Sequence, residues 1–291
     1  MIDDPQFQLD KTLIRQSFER AAPGYDEVAV LQREVSNRLV ERLNWVRLEP
    51  TMIVDIGCGT GVATLALLKK YRKAEVMGLD IAAAMLAIAR KRTPWLRKLH
   101  CVCADAEALP LDDASCDLVF SNLTLQWCAL DDVLRECRRV LKPGGLLMFS
   151  TLGPDTLIEL RRSWAAADAH NHVNAFIDMH DVGDALMRAE LLEPVVDVEH
   201  INLTYRDVST LMRDLKTLGA HNISAGRSQG LTGKGRLRAM RAAYEQFRQP
   251  DGLLPATYEV VYGHAWAPPQ AMSHRRTDGV SVFPLSQLRR G

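Results

Sequence analysis

The run Val54-Asp55-Ile56-Gly57-Cys58-Gly59-Thr60-Gly61 ends a hydrophobic stretch with an acidic residue and three alternating glycines, and Asp80 follows 19 residues after the last of them. Few arrangements of backbone accommodate such a run. A strand that reverses into a helix within a few residues needs positive φ, and a backbone that lies flat against a ligand leaves no room for a β-carbon. Thr51 to Ile56 is continuous and rich in β-branched residues, whereas Val62 to Tyr71 carries a helical apolar pattern, so the required strand, turn and helix are all present. The layout is that of a nucleoside-cofactor site.

Two cofactor classes share this layout. A dinucleotide places its pyrophosphate at the helix N-terminus, whereas S-adenosylmethionine has no phosphate and presents an amino-acid end. The spacing here is Gly-x-Gly-x-Gly, not Gly-x-Gly-x-x-Gly, and Asp55 just before the turn would repel a pyrophosphate but attract an α-ammonium and a sulfonium. Asp55, Gly57, Cys58, Gly59 and Gly61 therefore point to S-adenosylmethionine. Downstream the pattern predicts strands at 51–56, 75–79, 99–103, 117–121 and 146–151, alternating with helices at 61–72, 82–92 and 130–140, which means a parallel sheet. In such a sheet ligands bind at the carboxyl ends of the strands. There Asp80, with Ile81 and Met85 beside it, can accept both ribose hydroxyls, Asp105 with Ala106 can accept the adenine amino group, and Asn122 faces the methionine portion.

Further on, helices are expected at 154–168 and 179–190, a strand near 195–205, two basic helices within 206–248 around a Gly-rich connection, and a final strand at 257–266. The Lys142-Pro143-Gly144-Gly145 turn is expected to stop one helix and start a buried strand at Leu146. The domain reading is an N-terminal helical lid over 1–40, a catalytic domain over 41–266 with a basic insertion at 206–248, and a poorly ordered tail from 267 onward. With 47% hydrophobic residues the 291-residue chain can bury an ordinary core. No window of 18 apolar residues and no apolar leader is present, so the chain is expected to be cytosolic and without a membrane partner. Six cysteines without paired Cys-x-x-Cys spacing read as buried thiols.

Over roughly residues 40–152 the chain resembles the class I S-adenosylmethionine-dependent methyltransferases, which implies a doubly wound α/β fold with a seven-stranded, mostly parallel sheet whose final strand is antiparallel. Outside that core, Ser17-Phe18-Glu19-Arg20-Ala21-Ala22-x-x-Tyr25-Asp26 and Ala29-x-Leu31-Gln32 resemble the N-terminal signature of the malonyl-acyl carrier protein O-methyltransferases of the biotin pathway. Thr151-Leu152-Gly153-Pro154-Asp155-Thr156-Leu157, Asn174-x-Phe176-x-Asp178-Met179-His180-Asp181, Leu211-Met212-Arg213-Asp214-Leu215 and Thr257-Tyr258-Glu259-Val260-Val261-Tyr262 continue that similarity. The resemblance implies methyl transfer to a malonyl carboxylate, with acidic acyl carrier protein as partner.

That chemistry has a physical logic. A carboxylate of reference pKa about 4 is already deprotonated at neutral pH and needs no catalytic base, only in-line placement, exclusion of water and a group that holds it. Arg161 is the expected holding group, because a guanidinium forks onto a carboxylate. Tyr25 is expected to donate a hydrogen bond or shut out water, with Gln32 on the same lid, and Gln126 and Trp127 are expected to line the acceptor pocket. His170, His172 and His180 do not share a helical face, so no metal site is expected, and Gly226 to Gly235 breaks the phosphate-loop pattern. Between 206 and 248 nine Lys/Arg face three acidic residues. Arg213, Lys216, Arg227, Lys234, Arg236, Arg238 and Arg241 would steer an acidic carrier protein, whereas sparse aromatics argue against nucleic acid. Two alternatives stay open: O-methylation of another small acid or acyl-coenzyme A, and a methyltransferase-fold assembly or hydroxylation factor for a respiratory complex.

Overall fold

The computed structural model describes residues 10–95, 97–220 and 233–269. Helices α1 (Lys11–Ala21), α2 (Tyr25–Val28) and α3 (Val30–Arg42) precede the sheet, and Asp10 caps α1 by accepting the Thr12 and Leu13 amides. Strand β1 (Met52–Ile56) is buried in four of its five residues, as an apolar run inside a parallel sheet should be. The chain then alternates through α4 (Val62–Lys70), β2 (Glu75–Asp80), α5 (Ala83–Arg92), β3 (Leu99–Cys103), β4 (Cys116–Asn122), α6 (Leu130–Val140) and β5 (Leu141–Leu152). It continues through α7 (Ile158–Ala165), α8 (Met179–Arg188), β6 (Leu192–Tyr205), α9 (Val208–Thr217), α10 (Lys234–Tyr244) and β7 (Leu254–Trp266).

The seven strands form one sheet in the order β3-β2-β1-β4-β5-β7-β6. β7 runs antiparallel to both of its neighbours and the other pairings are parallel, so the fold is the doubly wound α/β one expected. Strand order reverses between β1 and β4, and the crevice for a ligand opens at their carboxyl ends. Helices cover both faces. On one, Leu31, Val35 and Leu39 of α3 and Leu67 of α4 pack over Ile53 and Phe120; on the other, Val133, Leu134 and Cys137 of α6 pack over Val54, Val119 and Phe149. The basic helices α9 and α10 lie between the last two strands, where the sequence puts them. Among the described residues no helix is long and apolar enough to cross a membrane.

Two expectations need correction. Lys142 to Gly145 does not separate a helix from a strand: β5 already begins at Leu141, paired with Cys116, and continues through an irregularity in register. The Gly144 amide donates to the Ala267 carbonyl at 3.0 Å and the Ala267 amide to Gly145 at 2.8 Å, so a partner distant in sequence keeps these residues in the sheet. All six cysteines are free, but Cys103 is exposed, because it ends an edge strand that only β2 covers. Of the expected tail, 270–291 lies outside the described residues.

Candidate cofactor and acceptor cavity

One cavity of about 350 Å³ runs from the carboxyl ends of β1, β2 and β4 toward β6, β7 and α9. Its first end is built by the glycine turn. Gly57 has φ +68°, and a β-carbon there would collide with the Thr124 side chain. Gly59 has φ +54°, and its missing β-carbon would project into open space within the cavity. Asp80 closes this end: Oδ2 accepts the Gly59 amide at 2.8 Å and Oδ1 accepts the Ala82 amide at 2.8 Å. Burial pushes its carboxyl up to about 6, against the pull of those amides.

The N-terminal helices roof this end. Lys11, Ile14, Phe18, Tyr25 and Gln32 all line the cavity. Lys11 Nζ reaches both Asp105 and Glu107 at 2.7 Å, and Phe18 meets Trp127 edge to face at 5.5 Å. Burial, with Asp80 and Asp26 adding to it, pushes the Tyr25 hydroxyl far up, so it stays protonated and is a donor. The Asn122 amide nitrogen donates to the Gln32 carbonyl at 3.1 Å, which ties α3 to the end of β4. Gln32 Oε1 is buried without a hydrogen-bond partner.

Of the residues expected from sequence, Tyr25, Gln32, Gly57, Gly59, Asp80, Ile81, Met85, Asp105, Ala106, Asn122, Gln126, Trp127 and Lys216 come together around the cavity. Others do not. Asp55 lies behind the wall, 1% exposed: Oδ2 accepts from Thr64 Oγ1 at 2.5 Å, Oδ1 is unpartnered, and burial pushes the carboxyl up to about 7. Cys58 packs against Gly78 of β2, and Gly61 lies against Ala89 of α5, so both serve helix and strand packing. Gln126 spends both ends of its amide inside the protein, donating to the Leu123 carbonyl at 2.7 Å and accepting from Thr151 Oγ1 at 3.2 Å.

The largest displacement is that of Arg161, which does not line the cavity. Its guanidinium turns back onto its own loop and donates to the Pro154 carbonyl at 2.8 Å and the Thr156 carbonyl at 3.3 Å. Among the described residues, Lys216 of α9 is the cation besides Lys11 that lines the cavity, and His172 lines it as well. Nε2 of His172 bonds Asp168 Oδ1 at 2.8 Å and its ring stacks on Trp164 at 3.8 Å, with 12° between the planes. His180 instead pairs with Asp178 at its helix start, so the three histidines form no cluster. Asp155, His200 and Glu259 bring ligand-type atoms within 4.8 Å of one another, but there Glu259 accepts the Asp155 amide at 2.6 Å and clasps that loop.

Sequence reasoning missed Lys11, Phe18, Thr156, Trp164, His172, Asn174, Phe176, Tyr205, Asp214 and Tyr258, which also line the cavity. Only sheet order and helix placement bring them there. Leu123 and Leu157 line it too, with φ of 51° and 56°, left-handed values that non-glycine residues hold only where their surroundings dictate it. Arg213, Lys234, Arg238 and Arg241 are exposed on α9 and α10, while Arg236 is half-buried and pairs with Asp168 at 3.4 Å. Arg227 lies outside the described residues.

Residues 54–149 match the family model of the methyltransferase domain. A malonyl-acyl carrier protein O-methyltransferase of Methylovorus sp. (strain MP688) is 54% identical over 269 residues, 90% of this chain and 90% of that protein. One of the same name from Gallionella capsiferriformans (strain ES-2) is 50% identical over 97% of this chain and 98% of that protein. Among solved structures, the YcgJ protein of Bacillus subtilis superposes with a TM-score of 0.57 at 16% identity, covering 80% of this chain and 98% of that one. A putative methyltransferase of Haloferax volcanii, in complex with a methyltransferase activator, gives 0.56 at 21% identity, with 88% and 97% covered. At such identity these two likenesses speak for the fold.

Proposed function

The chain belongs to the malonyl-acyl carrier protein O-methyltransferase family, and on that premise we propose that it holds S-adenosylmethionine at the glycine turn and methylates the free carboxylate of a malonyl group carried by acyl carrier protein. The carrying observation is one cavity that is continuous from Gly57, Gly59 and Asp80 to Trp127, Tyr205 and Tyr258. The ester produced masks the acid and suits it to prime pimeloyl synthesis for biotin.

The residues present fit the cofactor. Gln32 Oε1 is a buried acceptor without a donor that lines the cavity, and an α-ammonium would relieve it. Asp80 retains lone pairs for ribose hydroxyls beside the two amides it accepts, and Asp105 has a second oxygen for the adenine amino group beside the one bonded to Lys11. When bound, the cofactor supplies an electrophilic methyl carbon on a sulfonium. Everything else falls to the protein. The acceptor carboxylate is ionised at neutral pH, so in-line placement and dryness matter more than proton transfer. Phe18, Trp127 and Trp164 exclude water, the Tyr25 hydroxyl donates, and Lys216 and His172 take over the carboxylate-holding role expected of Arg161. Helices α1 to α3 act as the lid. The exposed cations of α9 and α10 steer the acidic carrier to the cavity mouth.

Methyl-labelled S-adenosylmethionine offered with malonyl carrier protein, malonyl-coenzyme A or free malonate tests the reading. Base-labile label is expected on the carrier protein at the highest kcat/KM. Equal use of malonyl-coenzyme A removes the carrier from the proposal. No ester from a chain that binds the cofactor by calorimetry removes the reaction.

A further inference from the structure

Helix α5 begins without a cap of its own: its N-cap residue is Ala82, which has no side-chain acceptor, and its first turn contains no acidic residue. The acceptor comes from the lid. Glu19 of α1 accepts the Ala83 amide through Oε1 at 2.6 Å and the Ala84 amide through Oε2 at 3.0 Å. Asp80 Oδ1 takes the Ala82 amide at 2.8 Å. The open amides at this helix start are thus shared between the carboxylate that faces the cofactor's ribose and a carboxylate delivered by another element.

We propose that Glu19 is a positioning residue for the cofactor, an N-cap supplied by the lid that orders the Asp80-Ile81-Ala82 turn when the lid is shut. This rests on the cofactor reading given above. Unpaired amides at a helix start cost free energy and the helix dipole favours an anion there, so withdrawing α1 leaves the first turn of α5, which directly follows the ribose-side turn, without its two acceptors. The rest of the lid follows the same plan, loop by loop. After β3, Asp105 and Glu107 are held by Lys11 at 2.7 Å. After β1, Thr60 Oγ1 donates to Asp26 at 2.8 Å, and Arg92 of α5 pairs with the same Asp26. Ala21 and Ala22 pack on Ala82 and Met85, which seats Glu19 over α5. The loops after β1, β2 and β3 are thus each held by a lid residue, and Glu19 holds the one after β2. Asp80 also senses it: burial raises that carboxyl and the Glu19 charge raises it further.

The test combines amide exchange at Ala83 and Ala84 with calorimetric affinities for S-adenosylmethionine and S-adenosylhomocysteine, on the full chain. Glu19→Ala is expected to speed exchange of those two amides at least tenfold and to weaken both ligands about fivefold, the factor of a lost N-cap. The KM for malonyl carrier protein at saturating cofactor should stay within twofold. Glu19→Asp should recover part of the affinity. Lys11→Met, which leaves Glu19 in place but loosens the lid, should also speed exchange at Ala83, and it decides the matter if Glu19→Ala folds poorly. Unchanged cofactor affinity in Glu19→Ala, or unchanged exchange in both variants, overturns the proposal alone. A wild-type chain that binds neither ligand overturns the cofactor reading and the proposal with it.

Discussion

At the scale of single residues, the glycine turn separates two roles that look alike in sequence. Gly57→Ala adds a β-carbon into Thr124 at a left-handed φ, so it should lower stability by more than about 2 kcal/mol, read as a shift in the denaturation midpoint. Gly59→Ala meets nothing in the protein. It should cost about 1–2 kcal/mol for its conformation yet weaken S-adenosylmethionine binding more than tenfold, since the methyl enters the cavity. Asp55 and Asp80 give a pH signature. Burial pushes them up to about 7 and about 6, so the folded state binds more protons than the unfolded one between about pH 4 and pH 7. Their contribution to stability is therefore present at low pH and lost as pH rises through that window. Asp55→Asn should match the wild type in unfolding free energy at or below about pH 4 and exceed it by a margin that grows through pH 7, reaching about 4 kcal/mol at pH 8. A gap that does not grow with pH would show that Asp55 is already neutral or already paired.

At the scale of elements, Arg161 shows how a local reading goes astray. Its helix follows β5 at the catalytic edge, but its guanidinium caps the two carbonyls of the loop that leads into that helix. Arg161→Ala should cost about 1–3 kcal/mol of stability for the carbonyls left unpaired, with the KM for the acceptor changing less than threefold; a KM rise above tenfold in a folded variant would restore it to the site. The basic helices make the complementary case. Reversing Arg238 and Arg241, both exposed on α10, should raise the KM for malonyl carrier protein about tenfold at low salt and flatten its salt dependence. Malonyl-coenzyme A should be indifferent to the change. The strands ending in Ile56, Asp80 and Asn122 were readable because glycine turns and unbroken apolar runs are local signals. So were the two helices between the last strands. Lys11 was not: its partners lie 94 and 96 positions away, and nothing within one helix turn of it announces them. Tyr205, Lys216 and Tyr258 reach the cavity only because β7 inserts beside β5, a fact of sheet order that no single segment contains.

At the scale of the whole molecule, the sheet order makes β7 indispensable to both functional ends. It pairs with β5 from Leu146↔Trp266 to Leu152↔Val260 and with β6 from Leu192↔Trp266 to Tyr205↔Leu254. A chain stopped after Leu253 should therefore lack cooperative unfolding and lose cofactor binding, although the glycine turn and Asp80 are intact. Calorimetry on that fragment checks it; a cooperative transition would show that β3 to β5 fold as a unit without the strand. The reversed strand also sets a timetable for biosynthesis. A ribosome releases β5 and β6 with an empty slot between them, and both slot-facing edges keep their amides and carbonyls open until residues 254–266 emerge from the exit tunnel. During that interval the nascent chain can accept the corresponding strand of another copy, so crowded synthesis favours exchange of β7 between molecules, and holdase chaperones that shield strand edges should raise the yield of monomer.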